Sequence, residues 1–282
     1  MPQTTTVCGA VQGLTSEYSL RPSRPVLSWW SANRKARGRA CFEFAALSAT
    51  LYPDLGDEVA RIKRREALWV DKGRLGFEEA NRLQLELAAR RRVGEIPDIA
   101  MLVEHDPCFT LGRAAKAEHV LVDADGLAAA GIAVHKADRG GDVTYHGWGQ
   151  LVCYAIVDLA GYGRDVHAHA RRLEEIMIRA ACAIGVPAYR DPDYPGVWCS
   201  QGKLGAIGLG VRRWVTMHGA SLNVSPYMPH YDLIVPCGIH GRAVTSLERA
   251  SGRTITLEQV GRELRRAFGA VFETELKSER GV

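Results

Sequence analysis

The sequence predicts an α/β (α+β) fold: a single domain with a mixed β-sheet flanked by helices. Three observations predict it. Short runs rich in Val, Ile and Leu alternate with helical patterns on a scale of about 15 residues, which places both element types around one sheet. Two apolar runs, 204–211 and 214–224, are bounded by glycines and joined at Arg212-Arg213, the pattern of a β-hairpin. The 282-residue chain shows no internal repeat and no second domain beyond an atypical first 66 residues.

The elements follow in order. Leu68-Trp69-Val70 reads as the first strand. Phe77, Ala80, Leu83 or Gln84, Leu87 and Ala88 recur at helical spacing over 76–92, and Arg90, Arg91 and Arg92 fall in the last turn, where the helix dipole favours them. Strands are expected at 99–104, 132–137 and 151–158. Between the last two, 139–150 carries four glycines in twelve residues and reads as a loop. A helix over 166–184 sets Val166, Ala170, Leu173, Met177, Ala180 and Ile184 on one face. After the hairpin, 242–247 is a short connection. Thr256 and Gln259 then form a capping box that opens a helix to about Phe272. These readings put an extension at 1–66, the folded body at 67–274 and a tail at 275–282.

Composition excludes several function classes. No run approaches the roughly 18 consecutive apolar residues of a membrane helix. Residues 1–66 hold 10 Lys/Arg against 6 Asp/Glu, while 67–282 hold 26 of each, so the body gives no reason to invoke nucleic acid. The seven cysteines form no Cys-x-x-Cys and follow no secretory leader, which points to reduced thiols and a cytoplasmic setting. His167 and His169 have no Cys or carboxylate nearby to complete a zinc-type ligand set, so no metal is expected. The acid-free stretch 18–41, with six Arg/Lys, reads as a poorly ordered extension or as an organellar transit peptide. A short helix is expected at 42–51.

Chemistry concentrates in two residues. Cys237 stands between Pro236, which fixes the backbone, and Gly238, which removes a side chain; that is an elbow fit to present sulfur to a ligand. Lys203 lies 34 residues earlier, in a Gly-rich run unlike a solvated face. Strands that lead away from a lysine and back toward a cysteine can bring the two side chains together, and an ammonium beside a sulfur favours thiolate. Cys153, Cys182 and Cys199 lie in apolar-periodic runs and are expected in the core; Cys108, after a proline, is a minor rival nucleophile. The loop 139–150 lacks the Gly-Lys-Ser/Thr ending of a phosphate-binding loop and the spacing of a dinucleotide fingerprint. His146 is a general base or, more commonly, a hydrogen-bonded structural histidine. The segment from His218 to Asn223 offers backbone groups facing a pocket, and its N–H groups are candidates to hold an oxyanion. Ile207, Leu209, Val143 and Tyr145 are candidate walls for an apolar trench.

In order, RGGDVTYHGWGQL, PGVWCSQGKLGAIGLGVRRWVTMHGASLNV, PCG followed by VTSLE, and the upstream LVEHDPCFTLGR closely resemble the octanoyltransferase family of protein lipoylation. The resemblance spans about 68–272 and leaves 1–66 uncovered. It implies a lipoate-ligase/biotin-ligase-like fold and no cofactor. It also implies transfer of octanoyl from acyl carrier protein onto a cysteine, then onto a lysine of lipoyl domains, those of 2-oxoacid dehydrogenase E2 subunits and of the glycine cleavage H protein. Cys237 matches the family nucleophile and Lys203 the lysine that activates it. Arg139, Gly140, Gly141, Asp142, Val143, Thr144, Tyr145 and His146 match one substrate-contacting loop. Ala206, Ile207 and Gly208 match the second, and Gly219, Ala220 and Ser221 the third. Ala206 replaces the family's usual Ser, Trp148 its Pro and Ser221 its Ala.

A covalent cysteine intermediate suits a thioester donor and an amine acceptor, since it splits the transfer into two manageable steps. Three rivals stand beside this reading. An ATP-using lipoate or biotin ligase on the same fold needs no nucleophilic cysteine. A catalytically silent carrier or lipoyl-domain-binding protein would not need both Lys203 and Cys237. A Cys-His hydrolase would recruit His146, His218 or His240. Arg212 and Arg213, at the hairpin tip, are candidate contacts for an acidic carrier protein.

Overall fold

The computed structural model describes residues 65–278. The extension, the helix expected at 42–51 and the transit-peptide alternative therefore fall outside the described residues, apart from 65 and 66.

A seven-stranded mixed sheet organises this part of the chain. Its strands are β1 (Arg65–Arg74), β2 (Asp98–Glu104), β6 (Gln150–Ile156), β7 (Val197–Cys199), β8 (Gly202–Arg212), β9 (Val215–Asn223) and β10 (Thr274–Ser278), in the order β10-β1-β2-β6-β9-β8-β7. The first three in that order run parallel; the rest pair antiparallel. β3 (Cys108–Leu111), β4 (Ala133–Lys136) and β5 (Val143–His146) form a smaller sheet in the order β4-β3-β5.

Helices cover both faces of the large sheet. α1 (Phe77–Arg92) packs Ala80 and Leu87 against Val70, Ile99, Met101, Val152 and Ile156. α3 (Val166–Ala183) and α5 (Leu257–Val271) cover the other face, where Leu173, Ile176, Met177, Leu264 and Phe268 meet Trp69, Leu102, Leu151, Leu204 and Leu222. Strands covered on both faces need apolar residues throughout, and all seven residues of β2 and of β6 are buried. The helix starts follow local rules: Asp165 accepts from the Ala168 amide, and Thr256 and Gln259 form the expected capping box. Two short helices, α2 (Ala124–Ala129) and α4 (Leu247–Ser251), sit in connections. Among the described residues no helix is long and apolar enough to cross a membrane.

The structure moves several boundaries. The sheet begins at Arg65, before the expected 67. Residues 275–278, expected in a tail, belong to the edge strand β10, which pairs with β1 and ties Thr274 to the Arg65 carbonyl at 2.5 Å. The hairpin turns at Arg213 and Trp214, one residue later than expected. Both have positive φ (49° and 67°), the mirror-type turn that matches strand twist, and Arg212 still pairs with Val215. Cys153 and Cys199 are buried as expected, but Cys182 is exposed. It lies five residues past Met177, about 140° round the helix from that core contact.

Candidate functional site

Hairpin β8–β9 builds one wall of a cavity of about 630 Å³, and the chain from Arg139 to His146 builds the facing one. Lys203 enters from the start of β8. Its backbone is fixed on both sides: it pairs with Trp198 of β7 and forms a parallel bridge to Val244, with its amide bonded to the Ala243 carbonyl and its carbonyl to the Thr245 amide, each at 2.9 Å. The side chain is only 6% exposed. Its ammonium donates to the Cys237 sulfur at 3.4 Å and lies 5.5 Å from the centre of the Trp198 ring.

Cys237 sits in the single turn Pro236–Gly238 with φ 57° and ψ 17°. This left-handed conformation costs a residue with a Cβ about 1–2 kcal/mol, so the surrounding structure must impose it. The imposition is visible. Val235 donates to the His119 carbonyl at 2.8 Å, Leu121 donates to the Leu233 carbonyl at 2.9 Å, and Val120 bridges Ile234. The elbow thus hangs from a short antiparallel ribbon. The sequence singled out Lys203 and Cys237, and the fold brings them into contact.

Twelve of the fourteen residues of the three expected loops line the cavity: Arg139, Gly140, Gly141, Asp142, Thr144, His146, Ala206, Ile207, Gly208, Gly219, Ala220 and Ser221. Val143 and Tyr145 do not. The loop reading missed that 143–146 is strand β5; alternation turns Thr144 and His146 to the cavity and sends Val143 and Tyr145 into the core beneath the small sheet, against Met228, Tyr231 and Ile234. They are therefore not trench walls. Ile207 and Leu209 are, joined by Val152, Ala220 and Phe77. Period-two alternation along β6 was the available signal for Val152 and Tyr154; the polar stretch around His119 gave none.

The polar floor is well ordered. Arg139 is 7% exposed and bonds only neutral acceptors: its Nη2 donates to the Thr110 carbonyl at 2.6 Å and to Thr110 Oγ1 at 2.8 Å. Burial holds its pKa below the usual arginine range, with the Cys237 sulfur acting in the opposite sense. It passes under Gly208, where a Cβ would meet the Arg139 Cδ at 2.7 Å, so glycine is needed at that crossing. His146 is bonded to Gln150 Oε1 at 2.7 Å, and burial pushes its pKa down to about 3, which fits the structural reading. His218 is held neutral by burial, at about 4, and lines the cavity with Nε2 unpartnered. His240 is exposed.

Two further expectations change. The N–H groups of 219–222 are not free to hold an oxyanion, because β9 is paired on one edge with β6 and on the other with β8 through these residues. Cys108 is no rival nucleophile: it is buried in β3, and burial pushes its thiol up to about 12. Of the departures from the family pattern, Ala206 and Ser221 line the cavity, whereas Trp148 is an exposed ring that donates to Asp106 at 3.1 Å. Among the described residues no group of His, Cys, Asp and Glu is arranged to hold a metal.

Known proteins resemble this chain in sequence and in fold. The family model "Lipoyl protein ligase A/B catalytic domain" matches residues 77–269. An octanoyltransferase of Geobacter metallireducens is 44% identical over 206 residues, 73% of this chain and 93% of that protein. One of Rubrobacter xylanophilus is 45% identical over 214 residues, 74% and 96% of the two chains. The crystal structure of lipoate-protein ligase A bound with ATP superposes with a TM-score of 0.57 at 17% identity, covering 77% of this chain and 88% of that one, a likeness of fold. The chain belongs to the octanoyltransferase family, on the catalytic domain shared with the lipoyl protein ligases.

Proposed function

We propose that this acyltransferase takes octanoyl from a carrier-protein thioester onto Cys237 and passes it to a lysine of a lipoyl domain. The carrying observation is the 3.4 Å contact between the Lys203 ammonium and the Cys237 sulfur beside a cavity walled by Ile207, Leu209, Val152 and Ala220. An ammonium stabilises negative charge on a neighbouring sulfur, and the apolar walls suit an alkyl chain.

The chemistry balances in two steps. The Cys237 thiolate attacks the donor carbonyl; the new C–S bond forms as the donor C–S bond breaks, and the departing thiolate takes a proton from the Lys203 ammonium. The acceptor amine then attacks the Cys237 thioester. Its nitrogen gives a proton to the Lys203 amine, and Cys237 leaves as thiolate, which restores the starting pair. The proposed donor is octanoyl-acyl carrier protein. The proposed acceptors are the lipoyl domains of 2-oxoacid dehydrogenase E2 subunits and the glycine cleavage H protein.

Intact mass after mixing with octanoyl-carrier protein tests this. One octanoyl group is expected on the wild-type chain without ATP, none on Cys237→Ala, and loss of the group when a lipoyl domain is added. A full adduct on Cys237→Ala, or a strict need for ATP, overturns it and favours the ligase reading.

A further inference from the structure

The turn that carries Cys237 separates two cavities. Cys237 and Gly238 face the one already described; Val235 and Pro236 face a second, of about 390 Å³, and Ile239 borders both. The walls of the second cavity are of a different kind. Arg242, Arg249 and His240 line it, against a single carboxylate, Asp232. Arg242 is braced: its Nη2 bonds Asp191 Oδ2 at 2.5 Å, and its guanidinium lies 4.7 Å from the centre of the Trp198 ring and 5.3 Å from that of Tyr194. The Arg249 guanidinium on α4 has no hydrogen-bond or ion-pair partner among the described residues.

A thioester has two arms. With the acyl arm in the apolar cavity and its carbonyl carbon at the Cys237 sulfur, the second cavity, across the elbow, is placed to take the thiol arm. The carrier's thiol arm is a phosphopantetheine, a chain of amides ending in a phosphodiester anion. Guanidinium groups bind such an anion through paired N–H donors. We propose that the second cavity is the subsite for the phosphate-bearing arm of the acyl donor, with Arg249 as the principal phosphate contact and Arg242 beside it. The inference rests on the thioester-donor reading above.

Two small donors that differ only in the phosphate test it: octanoyl-4′-phosphopantetheine and octanoyl-pantetheine, each mixed with the full chain, with acylation of Cys237 followed by intact mass. The phosphate should raise kcat/KM roughly tenfold, the effect of one good charge-assisted contact. Arg249→Gln should erase that preference, leave the rate with octanoyl-pantetheine unchanged and leave the thermal midpoint in place, while Arg249→Lys keeps part of it. Equal rates with both donors in the wild type, or a preference that survives Arg249→Gln, overturns the subsite and leaves the thioester reading standing. If neither donor acylates Cys237 while the chain remains folded, the thioester reading itself fails, and the subsite with it.

Discussion

His119 and Asp142 are hydrogen-bonded, Nδ1 to Oδ2, directly beneath the α-carbon of Gly238. Both side chains are buried, and the second Asp142 oxygen accepts from the Val143 amide at 2.7 Å. The pair is the platform on which the Cys237 turn rests. A Cβ on Gly238 would stand 2.8 Å from Asp142 Oδ2 and 3.2 Å from His119 Cε1, at a φ of 68° that disfavours any side chain. Gly238→Ala should therefore displace the turn and slow acylation of Cys237 by at least about tenfold, while the strain costs on the order of 1–3 kcal/mol of stability. Stopped-time acylation and circular dichroism check it. A folded variant with wild-type rates would show that the platform does not position the sulfur.

Lys203→Met keeps most of the side-chain volume and removes the ammonium. Alkylation of Cys237 by iodoacetamide near neutral pH should fall roughly tenfold or more, since the thiolate is the reactive form. Peptide mapping of the labelled site reads this out, and Cys108 and Cys153 should stay unlabelled because both are buried with thiols pushed up to about 12. Equal labelling of Cys237 in both proteins would mean that the lysine does not activate it.

Acid should destabilise the fold through its buried histidines. Burial lowers His146 to about 3 and His169 and His218 to about 4, against 6.5 for a free side chain. The unfolded chain takes these protons below about pH 6.5 and the folded chain does not, so stability is full above that pH and is lost as pH falls toward the folded values. At pH 5 each histidine costs about 2 kcal/mol, and the three together should lower the thermal midpoint by more than about 10 °C from its pH 7 value. A midpoint flat between these pH values would contradict the burial of these rings.

The hairpin tip offers a test of carrier docking. Arg212 is tied to Asp138 at 2.9 Å, while Arg213 is exposed. Arg213→Glu should slow transfer from octanoyl-carrier protein roughly tenfold at low salt and leave octanoyl-pantetheine untouched, because steering acts on a charged macromolecule. Rates with carrier protein that ignore the reversal would place docking elsewhere.

The contact between Lys203 and Cys237 was legible in the sequence because Pro236, Gly238 and the glycines around Lys203 mark backbone of unusual shape, and such marks are local. The three long helices were legible from periodicity, and the last of them also from its capping box; the short helices α2 and α4 were not. What stayed hidden depends on contacts between distant segments. His119 meets Asp142 across a separation of 23 positions, and neither flank announces it. Strand β5 hid inside a glycine-rich stretch, so its alternation was unreadable and Val143 and Tyr145 were assigned to the wrong face. The N–H groups of β9 looked available because nothing local reveals that a strand will be central.

The bridge from Lys203 to Val244 has a consequence for how reactivity arises. It closes the base of the segment that holds the thiol, so amine and sulfur ride on one closed ring of chain. A nascent or half-assembled molecule carries the same two residues without their acquaintance. Its sulfur then lacks the neighbouring ammonium that the closed ring supplies.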